Sequence, residues 1–106
     1  MTIFPGEIVY CTKGTRKNCW GICVANVWLE GLDYIMPESE RVIDVVHFTK
    51  DGFIHEEIEQ GNIEKRIPTK SVLHVAKRCL KHYLVNLKWL NNLEYLELIY
   101  NGNTSR

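Results

Sequence analysis

Four cysteines (Cys11, Cys19, Cys23, Cys79) and four histidines (His47, His55, His74, His82) are the residues whose types could do chemistry in this chain. Nucleophilic catalysis by cysteine needs a thiolate, a histidine within hydrogen-bond reach and a third group to orient it. Zinc needs closely spaced thiols and imidazoles. Cys19-x-x-x-Cys23 would set two thiols on one face of a strand, and Cys79-x-x-His82 would set two ligands on one helix turn. Structural zinc sites prefer tighter cysteine pairs on turns. Cysteine is also among the most buried residue types, so core packing is the default for each thiol. A small zinc-binding module stays as an alternative; neither a metal nor a cofactor is called for. The histidines are scattered, and His47 lies among apolar residues, where a structural role is the default. There is no Gly-rich loop before a helix and no Gly-x-Ser-x-Gly, so phosphate cradles and serine elbows are excluded.

The elements that must position these groups belong to one small domain. A chain of 106 residues has room for a single core. With 45% hydrophobic and 25% charged residues it has a globular composition, which argues against disorder. Thirteen basic residues balance thirteen acidic ones, so the basic footprint of a nucleic-acid binder is missing. One local cluster, Lys77, Arg78, Lys81 and Lys88, reads first as a solvated face. Lipid headgroups, a membrane surface or an acidic partner are its second reading. Met1 to Glu7 has neither a positive n-region nor an apolar h-region. No apolar stretch reaches the length that spans a bilayer. The expected setting is cytoplasmic, where thiols stay reduced.

Along the chain, Pro5-Gly6 opens a turn and Glu7 to Cys11 alternates as a strand. Thr12 to Asn18 is a polar loop. Cys19 to Trp28, rich in aromatic and β-branched residues, reads as a central strand. Glu30 to Arg41 is an acidic excursion without a period. Val42 to Thr49 is a strong strand, and Asp51-Gly52 turns it into a hairpin with Phe53 to Ile58. A turn at Gln60 to Asn62 leads to a strand over Ile63 to Ile67 that stops at Pro68. The period then changes. Thr69 caps a helix over Ser71 to Leu80, where Val72, Val75, Ala76 and Cys79 share a face. Tyr83 to Leu87 reads as extended. Asn91 or Asn92 caps a closing helix with Leu93, Leu96 and Ile99 on one face, ended by Gly102. The expected organisation is a single domain over 5–102 and a flexible tail over 103–106.

Three pieces in order carry a resemblance. Pro5-Gly6-Glu7-Ile8-Val9-Tyr10, then Cys19-Trp20-Gly21-Ile22-Cys23-Val24, then Val45-Val46-His47-Phe48 resemble the opening of the lecithin–retinol acyltransferase family. That family includes the HRAS-like suppressor phospholipases and H-box proteins of some picornaviruses. Ser71 to Ala76 and Tyr83 to Leu87 resemble its later elements more faintly. The resemblance implies a permuted papain-like (NlpC-type) α+β fold and thiol acyltransferase or phospholipase chemistry. In the family a first-strand His is the base, a second-strand His orients it, and a Cys in an Asn-Cys-Glu-His-Phe motif is the nucleophile. Here only His47 matches. The base position is Cys19, and a thiol does not replace an imidazole near neutral pH. The Asn-Cys motif has no counterpart, and the stretch from Asn26 to Asp44 is longer than the family's turn.

The resulting expectation is an α+β domain: a mainly antiparallel sheet of about five strands with two short C-terminal helices, a truncated form of that fold. Its expected function is non-catalytic binding of a protein partner by a pseudoenzyme. The alternative is a thiol acyltransferase or phospholipase in which Cys19 is the nucleophile and His47 the base. A mid-strand cysteine lacks the helix N-terminus that usually activates a catalytic thiol. A further reading makes the sequence a fragment whose nucleophile lies downstream. Trp28, Tyr34 and Met36, apolar side chains in the polar excursion, are the candidate contact residues; their folding back into the core is the competing arrangement. Homodimerisation would be one way to cover an open sheet edge or core face.

Overall fold

The computed structural model describes residues 2–30 and 36–104. Its internal contacts divide the chain into two compact units, Met1–Ile67 and Pro68–Arg106. The first is a five-stranded sheet: β1 (Ile8–Cys11), β2 (Trp20–Ala25), β3 (Val42–Thr49), β4 (Gly52–Glu59) and β5 (Ile63–Lys65). The spatial order is β4-β3-β2-β1-β5, with every neighbouring pair antiparallel. Two C-terminal helices follow.

Period-2 alternation assigns the two faces of the sheet. Ile8 lies across from Ile22, and Tyr10 across from Trp20 with ring centroids 5.2 Å apart. On the opposite face Val9, Cys11, Cys23, Ile43, Val45 and Ile63 form a buried cluster with Ile3. β2 is shorter than the sequence predicts, because the chain leaves the sheet after Ala25 and forms a 3-10 turn over Val27–Glu30.

The path between β4 and β5 constrains the sheet's shape. β4 and β5 are opposite edges, yet only Gln60–Asn62 separate them. A flat five-stranded sheet would hold its edges about 19 Å apart. The four steps from Glu59 to Ile63 reach at most about 14 Å. The sheet therefore curls, and the face carrying the Ile3–Val9–Val45 cluster is on the inside. Buried polar groups fix this crossing. The Gln60 amide N–H donates to Arg41 O at 2.9 Å, and its side-chain Nε2 donates to Glu38 O at 3.2 Å. Asn26 Nδ2 donates to Ile3 O at 2.8 Å and sits 3.4 Å from Gln60 Oε1. Gly61 passes so close to Ser39 that a Cβ there would lie 2.9 Å from the Ser39 carbonyl oxygen.

The second unit is a pair of helices. Helix α1 (Lys70–His82) begins where Thr69 Oγ1 accepts from Val72 N at 3.2 Å, the expected cap. Leu73, Ala76, Cys79 and Leu80 are its buried face. Helix α2 (Leu87–Thr104) is longer than expected and begins earlier: Asn86, not Asn91 or Asn92, accepts from Trp89 N at 3.1 Å. Tyr83 to Asn86, read as extended, is a tight connection in which Val85 has φ 49°. β-branched residues rarely adopt that conformation, so nothing in the local sequence announces it. The helix also runs through Gly102. Leu90 and Leu93 are buried, Lys77 pairs with Glu97 at 2.7 Å, and the Tyr100 hydroxyl donates to Pro68 O at 2.8 Å. Leu87, Tyr95 and Leu98 on α2 remain exposed. Among the described residues, no helix is long and apolar enough to cross a membrane.

Replacing Gln60 by Leu removes a donor from Glu38 O and an acceptor facing Asn26 while keeping bulk. The expected cost is about 1–3 kcal/mol, read as a lower urea midpoint with an unchanged slope.

Candidate functional site

Cys11, Cys19, Cys23 and His47 of the first unit lie on the inner face of the curled sheet, whereas His55 is exposed on the other face. His47 sits on β3 across from Gly21 of β2. A Cβ at residue 21 would lie 2.7 Å from Val46 O, so only glycine allows β2 to lie this close to β3 beside the imidazole. His47 is 1% exposed, and neither ring nitrogen has a hydrogen-bond partner among the described residues. Its nearest charged group is Glu56 of β4, whose Oε1 is 3.5 Å from Nε2. That is a contact of charge with ring, too long and poorly aligned to be a hydrogen bond.

Glu56 is held from the other side. The loop between β1 and β2 brings Arg16 over it, with Nε at 2.6 Å from Oε1 and the second guanidinium nitrogen at 3.4 Å from Oε2. The hydrogen bond from Arg16 holds the Glu56 carboxyl below the usual carboxylate range. Burial holds His47 below its ordinary value of 6.5; Glu56 opposes that shift and Arg16 adds to it. The imidazole is therefore neutral near pH 7, and the ion pair above it is ionised. A crevice of about 430 Å³ opens beside this pair, lined by Lys13 and Arg16 of the loop and by Glu56, Glu57 and Glu59 of β4.

Cys19 lies one residue before β2 on the same inner face, diagonal to His47 in register. Its directly opposite neighbour is Cys11, whose N–H donates to Cys19 O at 2.8 Å. No hydrogen bond joins Cys19 to His47 among the described residues. The register thus brings the two predicted residues to one face without pairing them. Burial pushes the thiols of Cys11, Cys23 and Cys79 up, Cys23 to about 12 and Cys79 to about 11. These three rest protonated at neutral pH, so none of them is poised to attack first. Among the described residues, no three His, Cys, Asp or Glu side chains are grouped to hold a metal ion.

The predicted contact residues have separate environments. The Trp28 indole N–H donates to Val42 O at 3.0 Å, Arg41 lies 5.5 Å from its ring centroid, and the ring packs partly buried against the inner cluster. Met36 is exposed, while Tyr34 lies outside the described residues. Trp28 also borders a hollow of about 210 Å³ with Val27 and Val42, flanked by Asp44 and Glu57. Residue type marks Cys11 only as one of the four cysteines, and nothing in the sequence singles out Arg16 or Glu56. Arg16 and Glu56 are 40 positions apart and meet only through the sheet. Cys11 had a legible signal, because a strand, a polar loop and a second strand put it across from Cys19.

Comparison with known proteins finds no match. No family model fits the chain, and no curated sequence or solved structure is similar to it.

The two titrations set the acid sensitivity of the first unit. His47 is neutral when native but protonates in the unfolded chain below 6.5, so the unfolded state gains protons and stability falls as pH drops through that value. Glu56 contributes stability that is complete above 4.5 and is lost below it. In urea titrations at stepped pH, His47→Gln should abolish the loss that begins near 6.5 and leave the loss that begins below 4.5.

Proposed function

We propose that this chain is a non-catalytic binding domain that engages a protein partner, built on a degenerate scaffold of the lecithin–retinol acyltransferase type. The observation that carries this reading is the state of His47: it is 1% exposed and lies beneath the Arg16–Glu56 ion pair. A general base must reach the proton it takes. An imidazole shut off in this way has the role of a core residue. The resemblance in β1, β2 and β3 supports the scaffold, and the cysteine at the family's base position supports loss of the reaction.

The hollow beside Val27 and Val42 supports a contact surface. Both valines are exposed apolar groups, at 53% and 37%, and the flanking carboxylates of Asp44 and Glu57 add negative charge. That chemistry suits a peptide segment presenting an aliphatic or aromatic side chain next to Lys or Arg. Met36 is a further exposed apolar side chain of this unit.

Two measurements test the reading. Intact mass after incubation with a short-chain phospholipid should stay unchanged; an acyl adduct on Cys19 that disappears in His47→Ala would instead establish a working thiol acyltransferase. Selection from a displayed peptide library should return sequences pairing an apolar side chain with a basic one. Binding of those peptides should fall at least about tenfold in Val42→Asp, the scale of about 1.4 kcal/mol at a well-packed contact. Undiminished binding in that variant would place the contact elsewhere.

A further inference from the structure

We propose that Cys11 and Cys19 form a redox-active dithiol that closes to an intramolecular disulfide by exchange with a low-molecular-weight disulfide such as oxidised glutathione. The loop between them ends in a bulge that puts the two residues face to face. Asn18 adopts φ 72°, its N–H donates to Cys11 O at 2.8 Å, and Cys11 N–H donates to Cys19 O at 2.8 Å. That is the pattern of a bulge with its first residue in the left-handed region, and it pairs Cys19 directly with Cys11. Tyr10 and Trp20, the next pair along, meet on the outer face with centroids 5.2 Å apart. By alternation, Cys11 and Cys19 both project to the inner face. Cys11 and Cys19 share one of the two hydrogen bonds of an opposed antiparallel pair, in which Cα atoms are about 4.5–5.5 Å apart. That lies inside the Cα range of disulfides, about 4.4–6.8 Å.

The two thiols also differ in a way that divides the roles. Cys19 is partly exposed, whereas Cys11 is 1% exposed with its Sγ donating to Lys13 O at 3.1 Å. Arg16, in the same loop, lies close enough to Cys19 for the two to interact. Cys23, the other thiol of the first unit, is fully buried on β2 with Val45 of β3 as its opposite neighbour.

Each step balances. The Cys19 thiol gives its proton to solvent and attacks one sulfur of oxidised glutathione, forming a mixed disulfide and releasing one glutathione thiolate. The Cys11 thiolate, formed by loss of its proton to solvent, then attacks Cys19 Sγ and releases the second glutathione. Two protein thiols are oxidised, one glutathione disulfide is reduced, and the two protons end on the two glutathione thiols. The bridge would close the loop that carries Arg16.

The test is exchange in a series of glutathione redox buffers, quenched with an alkylating agent and read by intact mass. After alkylation in denaturant, the wild type should carry two alkyl groups where the reduced protein carries four, show the further loss of about 2 Da and no retained adduct, and regain both thiols in dithiothreitol. Digestion with trypsin and chymotrypsin, which cut after Lys17 and Trp20 and so separate Cys19 from Cys23, should map the link to Cys11–Cys19. Cys11→Ser should accumulate one glutathione on Cys19, about 305 Da, because no second thiol resolves it. Cys19→Ser should take up none. The proposal is overturned if the folded wild type keeps four alkylatable thiols in excess oxidised glutathione, if it retains the adduct on Cys19, or if the bridge maps to another pair. Should Cys11→Ser fail to fold by circular dichroism, the wild-type mapping decides alone.

Discussion

Three residues, Gln60–Asn62, connect the two edges of a five-stranded sheet, and nearly every feature of the first unit depends on that short reach. A sheet joined so closely at its edges must curl. Curling gives it an inside, which the apolar cluster around Val9, Cys23 and Val45 fills. It also brings the β1–β2 loop up to β4, and only then does Arg16 meet Glu56. The buried amides of Gln60 and Asn26 hold this geometry by tying the crossing to the N-terminal segment and to the end of the excursion. A polar network in such a place specifies one path for the backbone, since any other leaves buried amides without partners.

His47 shows what an interior position does to a functional group. Its imidazole is flanked by a carboxylate, an arrangement that elsewhere sharpens a base. Here the guanidinium of Arg16 takes most of that carboxylate's hydrogen-bonding capacity, and desolvation outweighs the charge that remains. The same three residues with the ring turned to solvent would make a different site. Burial decides between the two, because the cost of charging a dry imidazole exceeds the attraction of a carboxylate already neutralised.

The sequence made the strands legible wherever β-branched residues ran together. Val42–Thr49 was read to the residue, and Asp51-Gly52 announced its hairpin. The cap at Thr69 was equally plain. The connection at Tyr83–Asn86 was not, because Tyr, Leu and Val favour extended backbone while the contacts of the two helices impose a tight turn. The start of α2 was misplaced because three asparagines lie close together and only Asn86 precedes the first helical turn. At the site, His47 and Cys19 stood out by residue type, but the group that governs His47 did not. Glu56 is one of several acids on β4, and nothing local distinguishes it from Glu57 or Glu59. Only the side of the sheet it faces does.

The order of strands also orders events in time. The β3–β4 hairpin closes over a tight turn, and the β1–β2 hairpin over a short loop. Such hairpins form within microseconds. β5 is different: its partner is β1, and the neighbouring Thr12 and Asn62 are 50 positions apart in the chain. Closing so long a loop is slow, because its entropy is lost before any contact compensates. On a ribosome, β1 would emerge with its outer edge unpaired and wait for most of the unit to be made. The strand that finishes the sheet is only three residues long, so the last step of folding is also the one secured by the fewest hydrogen bonds.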